Sequence, residues 1–243
     1  MKNSLLLFCF LLPVCASAAD VKPLITDANV VQIAVALPPN NANSLGTGFF
    51  VGDDDLIVTA GHVYLAALNS LVDNRAGTLI ARRFSRAVSH RWIGTPIDLI
   101  AADYAHDIVL LKIRAENDSW KSAWNEVGGV SPLALDSGSA PGDGDGVQMR
   151  GYFGADEFPV FLSGSVAGTA SLGPLSVQEL LIILPAVPGQ SGSPLVSSAG
   201  RVVGIITAIV PVALPFNQQP AHSGLTRAVA IEHVNRLLSS LKK

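Results

Sequence analysis

Short apolar runs alternate with clusters of Gly, Pro, Asn and Asp along most of the chain. The runs at 30–35, 48–51, 56–58, 107–113, 147–152, 180–184 and 202–210 are short and rich in β-branched residues. They predict strands, and the turn residues between them, as at 52–55, predict an all-β architecture. The C-terminus follows another period. Val229, Val234, Leu237, Leu238 and Leu241 recur at helical spacing, which predicts a terminal helix over 228–241 with Thr226 as its N-cap. Residues 136–146 are Gly, Asp, Ser, Ala and Pro only and lie mid-chain. They predict a linker between two β units, 19–135 and 147–243.

The first residues follow neither pattern. Lys2, an apolar stretch over 5–14 and the small residues Ala16, Ser17 and Ala18 predict a signal peptide over 1–18. Export to the periplasm or the exterior follows, with a mature start at Ala19. A lipoprotein signal at Cys15 is the alternative. Cys9 and Cys15 are the only cysteines, so the mature chain has no thiolate nucleophile and no disulfide. No later run is long enough to span a membrane; the longest, 180–187, contains Pro185 and suits a buried strand.

Composition narrows the classes further. Of 243 residues, 49% are hydrophobic and 14% charged, with a net charge of -3. That balance supports a sizeable core and gives no basic footprint for nucleic acid. Arg82 and Arg83, the densest basic pair, read as solvated surface. Asp143 and Asp145 imitate a calcium loop without its terminal glutamate, so no metal or cofactor is expected. His90, His222 and His233 lack metal-ligand spacing and read as surface or packing residues. His106 reads as a strand-edge neighbour.

Three segments carry candidate chemistry. In the first, an apolar strand over 56–58 runs through Thr59, Ala60 and Gly61 to His62, a general base held at the end of a rigid element. In the second, Asp107 opens the apolar run 108–111. A carboxylate there needs a partner, and an imidazole N–H is a natural one. Asp98 and Asp103 compete for the role, but neither directly precedes an unbroken apolar run. In the third, Ser191 stands in a tight turn between Gly189 and Gly192. The glycines permit a sharp bend, and the amides of Gly189 and Ser191 can face a developing oxyanion. The order is His, Asp, Ser, at separations of 45 and 84 residues (62 to 107, 107 to 191). That is the chymotrypsin order and not the Ser, acid, His order of α/β-hydrolases.

On these motifs the chain resembles the trypsin-like serine protease superfamily and is most similar to the HtrA (Deg) protease domain. The stretches 46–51, 161–166, 200–209 and 224–238 resemble further strands and the closing helix of that domain. The resemblance implies a fold of two six-stranded antiparallel β-barrels with a C-terminal helix and the site between the barrels. It implies His62, Asp107 and Ser191 as a catalytic triad acting on polypeptides. Gln190, Gly192 and Ser193 depart from the family's usual Asn before the serine and Gly-Gly after it. Glutamyl-endopeptidase-like relatives share the Gly-Ser-Pro variant, but carry a histidine where this chain has Ile206 and Thr207. The chain ends soon after the helix, so no PDZ domain is expected. By the same resemblance Pro185, Thr207 and Ile209 line the substrate pocket, which is uncharged and shallow and implies cleavage after small aliphatic residues. Two rivals are a catalytically silent binding module and an ester hydrolase on the same fold. The sequence sets no oligomeric state.

Overall fold

An apolar run without polar alternation is a strand with both faces buried. The computed structural model describes residues 23–241 except 40, 54, 87–89, 115–118, 138–139, 173–176 and 213–220. The expected signal segment, with Cys9 and Cys15, lies outside the described residues. Strands β1 (Val30–Leu37), β2 (Asn41–Val51), β3 (Leu56–Ala60), β4 (Thr78–Ser85), β5 (Arg91–Asp103) and β6 (Ile108–Ile113) close one antiparallel barrel in the order β1-β2-β3-β6-β5-β4. Strands β7 (Gly146–Tyr152), β8 (Pro159–Leu172), β9 (Val177–Ile183), β10 (Pro194–Ser197), β11 (Val202–Val212) and β12 (Ala221–Ala230) close a second in the order β10-β11-β12-β9-β8-β7. Helix α1 (Gly61–Asp73) follows β3, α2 (Ser119–Asn125) follows β6, and α3 (Glu232–Ser240) follows β12. Each barrel is six-stranded, as the resemblance implies.

The apolar runs divide between two cores. From β3 and β6, Ile57, Val109 and Leu111 point into the first barrel, where they meet Phe50 and Trp124. Their neighbours Val58, Ile108 and Leu110 point outward into a core shared with Val196, Val202, Ile205 and Val229 of the second barrel. Period-2 alternation therefore stocks two cores from one strand. The barrels are joined by buried apolar surface, and Val234 of α3 packs into the same shared core. Between the barrels, Leu133 bridges to Val51 and Leu135 to Val202.

Two expectations are corrected. The terminal helix starts at Glu232, and residues 221–230 are strand, paired with both β9 and β11. Thr226 is not its N-cap: its hydroxyl donates to the Leu184 carbonyl inside the second barrel. Ladder pairing on both sides overrides the helical spacing of a few leucines. Arg82 and Arg83 are not solvated surface; both are buried. The Arg83 guanidinium, pushed down to about 10 by burial, lies over the Trp124 ring. It donates to the carbonyls of Val30, Ala28 and Gly129 at 2.9, 3.0 and 2.5 Å. Arg82 lies on the opposite face of β4, its guanidinium 3.9 Å from the centre of the Trp92 ring. Sequence neighbours on a strand face opposite ways, so a basic pair need not form a basic patch.

Candidate active site

β3 delivers His62 into the first turn of α1, beside Asp107, which immediately precedes β6, because β3 and β6 pair from Ala60↔Ile108 onward. The N-cap position of α1 is Ala60, which has no side chain able to bond the free amides of the first turn. Asp107 supplies that bond from outside the helix. One carboxylate oxygen accepts the His62 amide at 2.7 Å, and the other meets His62 Nδ1 at 2.7 Å. The Gly61 amide donates to the Asp107 carbonyl at 2.8 Å. A Cβ on Gly61 would lie 3.0 Å from the carboxylate, so glycine permits the approach. Asp107 itself is left-handed, with φ +55°. That conformation costs roughly 1–2 kcal/mol and is offset by these bonds. With Nδ1–H committed to the carboxylate, Nε2 is left as the basic nitrogen. The imidazole side chain is half exposed (47%).

The rival aspartates are engaged elsewhere. Asp98 holds the Arg114 guanidinium, and that hydrogen bond keeps its carboxyl below the usual carboxylate range. Asp103 bonds the ring and amide of His106. His106 stacks on His233 with ring centres 3.7 Å apart. His233 is buried, as a packing residue should be, and His90 is exposed; the His222 side chain lies outside the described residues. Ligand atoms of Asp103, His106 and His233 lie within 4.8 Å of one another. Stacked rings, however, aim their lone pairs side by side, and the Arg236 guanidinium already donates to His233 Nδ1 at 3.0 Å. That arrangement does not suit a cation.

Ser191 reaches the same place from the second barrel. Gly189 and Gly192 have φ of +96° and +86°, which L side chains rarely adopt. A Cβ on Gly192 would sit 2.0 Å from the Thr47 carbonyl and 3.1 Å from the Ala60 amide. The serine turn thus lies against the end of β3, two residues from His62. The Ser191 carbonyl accepts the Thr47 amide at 2.8 Å, and the Gly192 amide donates to Ile206 at 2.7 Å. Both barrels hold the turn. The Ser191 hydroxyl contacts the Thr207 carbonyl at 3.5 Å, the outer limit of a hydrogen bond. The amides of Gly189 and Ser191 have no acceptor among the described residues. Gln190 is fully buried and its side-chain oxygen accepts the Val187 amide, bracing the turn.

Of the expected pocket residues, Thr207 touches Ser191 through its carbonyl. Ile209 pairs with Thr226 across β11 and β12, and the Thr226 hydroxyl fastens Leu184 and Ala186 on either side of the exposed Pro185. Thr226 therefore links the 184–186 segment to β11. Thr47 lies in the stretch 46–51, and the sequence assigns its side chain no role. Its hydroxyl donates to the Gly189 carbonyl at 2.9 Å and accepts the Tyr152 amide at 2.9 Å. Its mark in the sequence is a polar residue set between Gly46 and Gly48 ahead of an apolar run.

These barrels and the cleft groups define a chymotrypsin-like architecture. The chain belongs to the trypsin-like peptidase family: that domain's profile matches residues 46–205, which include His62, Asp107 and Ser191. The chain is 30% identical over 203 residues to the magnetosome formation protease MamE of Paramagnetospirillum magneticum, covering 73% of this chain and 23% of MamE. It is 27% identical over 170 residues to an uncharacterized protein, y4bJ, of Sinorhizobium fredii, covering 69% of this chain and 22% of y4bJ. It thus spans about a quarter of either relative. Among solved structures, Deg5 matches with a TM-score of 0.60 at 19% identity, over 87% of both chains. The Rv3671c protease of M. tuberculosis, in its active form, matches at 0.61 and 17%, over 89% of this chain and 83% of that one. The HtrA-type protease AlgW, solved with a tripeptide, matches at 0.61 and 17%, over 89% and 60%. These likenesses bear out the expected fold, and the profile bears out the trypsin-like resemblance. No described helix is long and apolar enough to cross a membrane.

Proposed function

We propose that the chain is a serine endopeptidase in which Ser191 attacks the scissile carbonyl, His62 is the general base and Asp107 orients and supports His62. The observation that carries this reading is the two-point grip of Asp107 on His62, where the Ser191 turn is bonded to β2 and lies against the end of β3. His62 Nε2 takes the serine proton as the Oγ–carbon bond forms. The Asp107 carboxylate stabilises the resulting imidazolium. The free amides of Gly189 and Ser191 receive the developing oxyanion, which is worth roughly 3–4 kcal/mol per donor in comparable sites. His62 then returns the proton to the leaving amine, and water hydrolyses the acyl-serine by the same route.

The walls suggest the substrate. Thr207, Ile209 and the segment around Pro185 offer no carboxylate, and Glu179 is paired with Arg227. A lysine or arginine would lose hydration without a partner, while a small aliphatic side chain would gain from burial. Cleavage of polypeptides after Val, Ala or similar small aliphatic residues is the proposed specificity, and the signal peptide over 1–18 the proposed route of export. A fluorophosphonate probe followed by peptide mapping tests the chemistry. Labelling is expected on Ser191 alone and is expected to vanish in His62→Ala. An unlabelled Ser191 in folded protein would favour a silent binding module.

A further inference from the structure

The proposed oxyanion donor Gly189 belongs to the second barrel, yet the bonds that aim its peptide lead to the first. The Pro188–Gly189 peptide is trans, so its carbonyl and its N–H point opposite ways. The Pro188 carbonyl accepts the Gly154 amide at 3.1 Å. Holding that oxygen toward Gly154 directs the Gly189 N–H away from it, which leaves the N–H without an acceptor among the described residues. The contact is intimate: a Cβ on Gly189 would lie 2.4 Å from the Gly154 amide nitrogen. The aim of the donor therefore depends on where Gly154 sits.

Gly154 lies in the connection between β7 and β8, outside any ladder, with φ +52°. Two side chains of the first barrel hold its carbonyl. Gln32 Nε2 donates to it at 3.1 Å, and the Ser44 hydroxyl donates to it as well. Gln32 is fully buried and also reaches the Asp156 carbonyl at 3.4 Å. Arg82 settles which end of the Gln32 amide faces the loop. Its Nε donates to Gln32 Oε1 at 2.7 Å, so the NH2 must face Gly154. Burying a glutamine and an arginine on one strand pair costs desolvation that an apolar pair would avoid. A fixed donor toward the loop is a return for that cost.

We propose that Gln32, oriented by Arg82, is a positioning residue for the oxyanion hole, acting through Gly154 and the Pro188 carbonyl on the Gly189 N–H. The proposal rests on the serine-endopeptidase reading. Gln32 does not touch substrate. Its loss weakens a donor used in the transition state and leaves ground-state binding nearly intact.

Gln32→Glu is the sharpest variant. The carboxylate keeps a partner for Arg82, but it can only accept, so it repels the Gly154 carbonyl. Gln32→Met removes the donor at similar volume. With the best peptide from a library, we expect kcat to fall about tenfold or more, KM to change by less than about threefold, and fluorophosphonate labelling to slow with kcat. Thermal midpoints are measured alongside. Folded variants with kcat within about twofold of the parent, or with kcat and KM failing together, would overturn the proposal. If both variants misfold, Ser44→Ala decides. It removes only the second donor to Gly154, and it should lower kcat about threefold with KM steady; unchanged kcat would overturn the relay. A parent protein with no Ser191-dependent turnover overturns both the relay and the reading beneath it. Turnover in the parent together with unaffected variants overturns the relay alone.

Discussion

At the residue scale, Asp107 performs two tasks with one carboxylate. It caps a helix whose N-cap position is alanine, and it holds the imidazole that follows. The tasks separate by substitution. Asp107→Asn keeps an oxygen for the His62 amide but turns the other atom into a donor, which forces the wrong tautomer. We expect stability near the parent and kcat lower by about ten-thousand-fold. Asp107→Ala should lose the cap as well, at a further cost of about 1 kcal/mol in stability. Denaturant titration beside steady-state kinetics reads both. Equal losses of stability in the two variants would show that the carboxylate does not cap α1. Gly189 is the second residue with little freedom. A side chain there meets Gly154 and must adopt φ +96°. Gly189→Val that folds should keep substrate affinity better than kcat; full kcat would remove Gly189 from the oxyanion hole.

At the element scale, the strands were legible wherever both faces are apolar. Residues 56–58 and 107–113 read as strands because each supplies two cores, and β3 and β6 are the pair that brings His62 to Asp107. Elements with polar or mixed faces were not legible. β4 holds Arg82 and Arg83, whose burial depends on carbonyls and rings far away in sequence. β12 carries the start of a helical spacing, but two neighbouring strands claim it. The site followed the same rule: its motifs were visible in single segments, whereas Thr47 and Gln32 act across barrels and left only a buried polar residue as a trace. Arg83→Met would strip four carbonyls, those of Val30, Val127, Gly129 and Ala28, of their donor and should cost about 3 kcal/mol or more, measured by urea denaturation. A change within about 0.5 kcal/mol would mean that water replaces the guanidinium there.

The junction between the barrels carries its own titration. His233 of α3 stacks on His106, with Asp103, Glu232 and Arg236 around the pair. Burial, then His106 and Arg236, hold its imidazole below the usual histidine value. A histidine depressed in the folded chain binds its proton more tightly when unfolded. Its contribution to stability is therefore complete above the unfolded value of about 6.5 and is lost as pH falls below it. His233→Gln should make the decline of the thermal midpoint between about pH 7.5 and 5.5 shallower. An identical slope would remove His233 from that titration.

At the scale of the whole molecule, each barrel brings what the other lacks. The first holds the proposed base, His62, and its carboxylate, Asp107. The second holds the proposed nucleophile, Ser191, with the proposed donor amides and pocket walls. A shared apolar core and the Thr47 bonds keep the halves in register. Ile209 is proposed to narrow the pocket, so Ile209→Gly should shift preference from Val toward larger apolar residues by about 10- to 100-fold in kcat/KM. A parent preference for Arg, Lys or Glu would overturn the pocket while leaving the triad untouched. The triad is decided by one comparison: kcat of the parent and of Ser191→Ala on a cleavable peptide, both proteins folded and free of contaminating protease. We predict that the serine variant loses about a million-fold; near-parental turnover by Ser191→Ala would contradict the assignment of Ser191 as nucleophile.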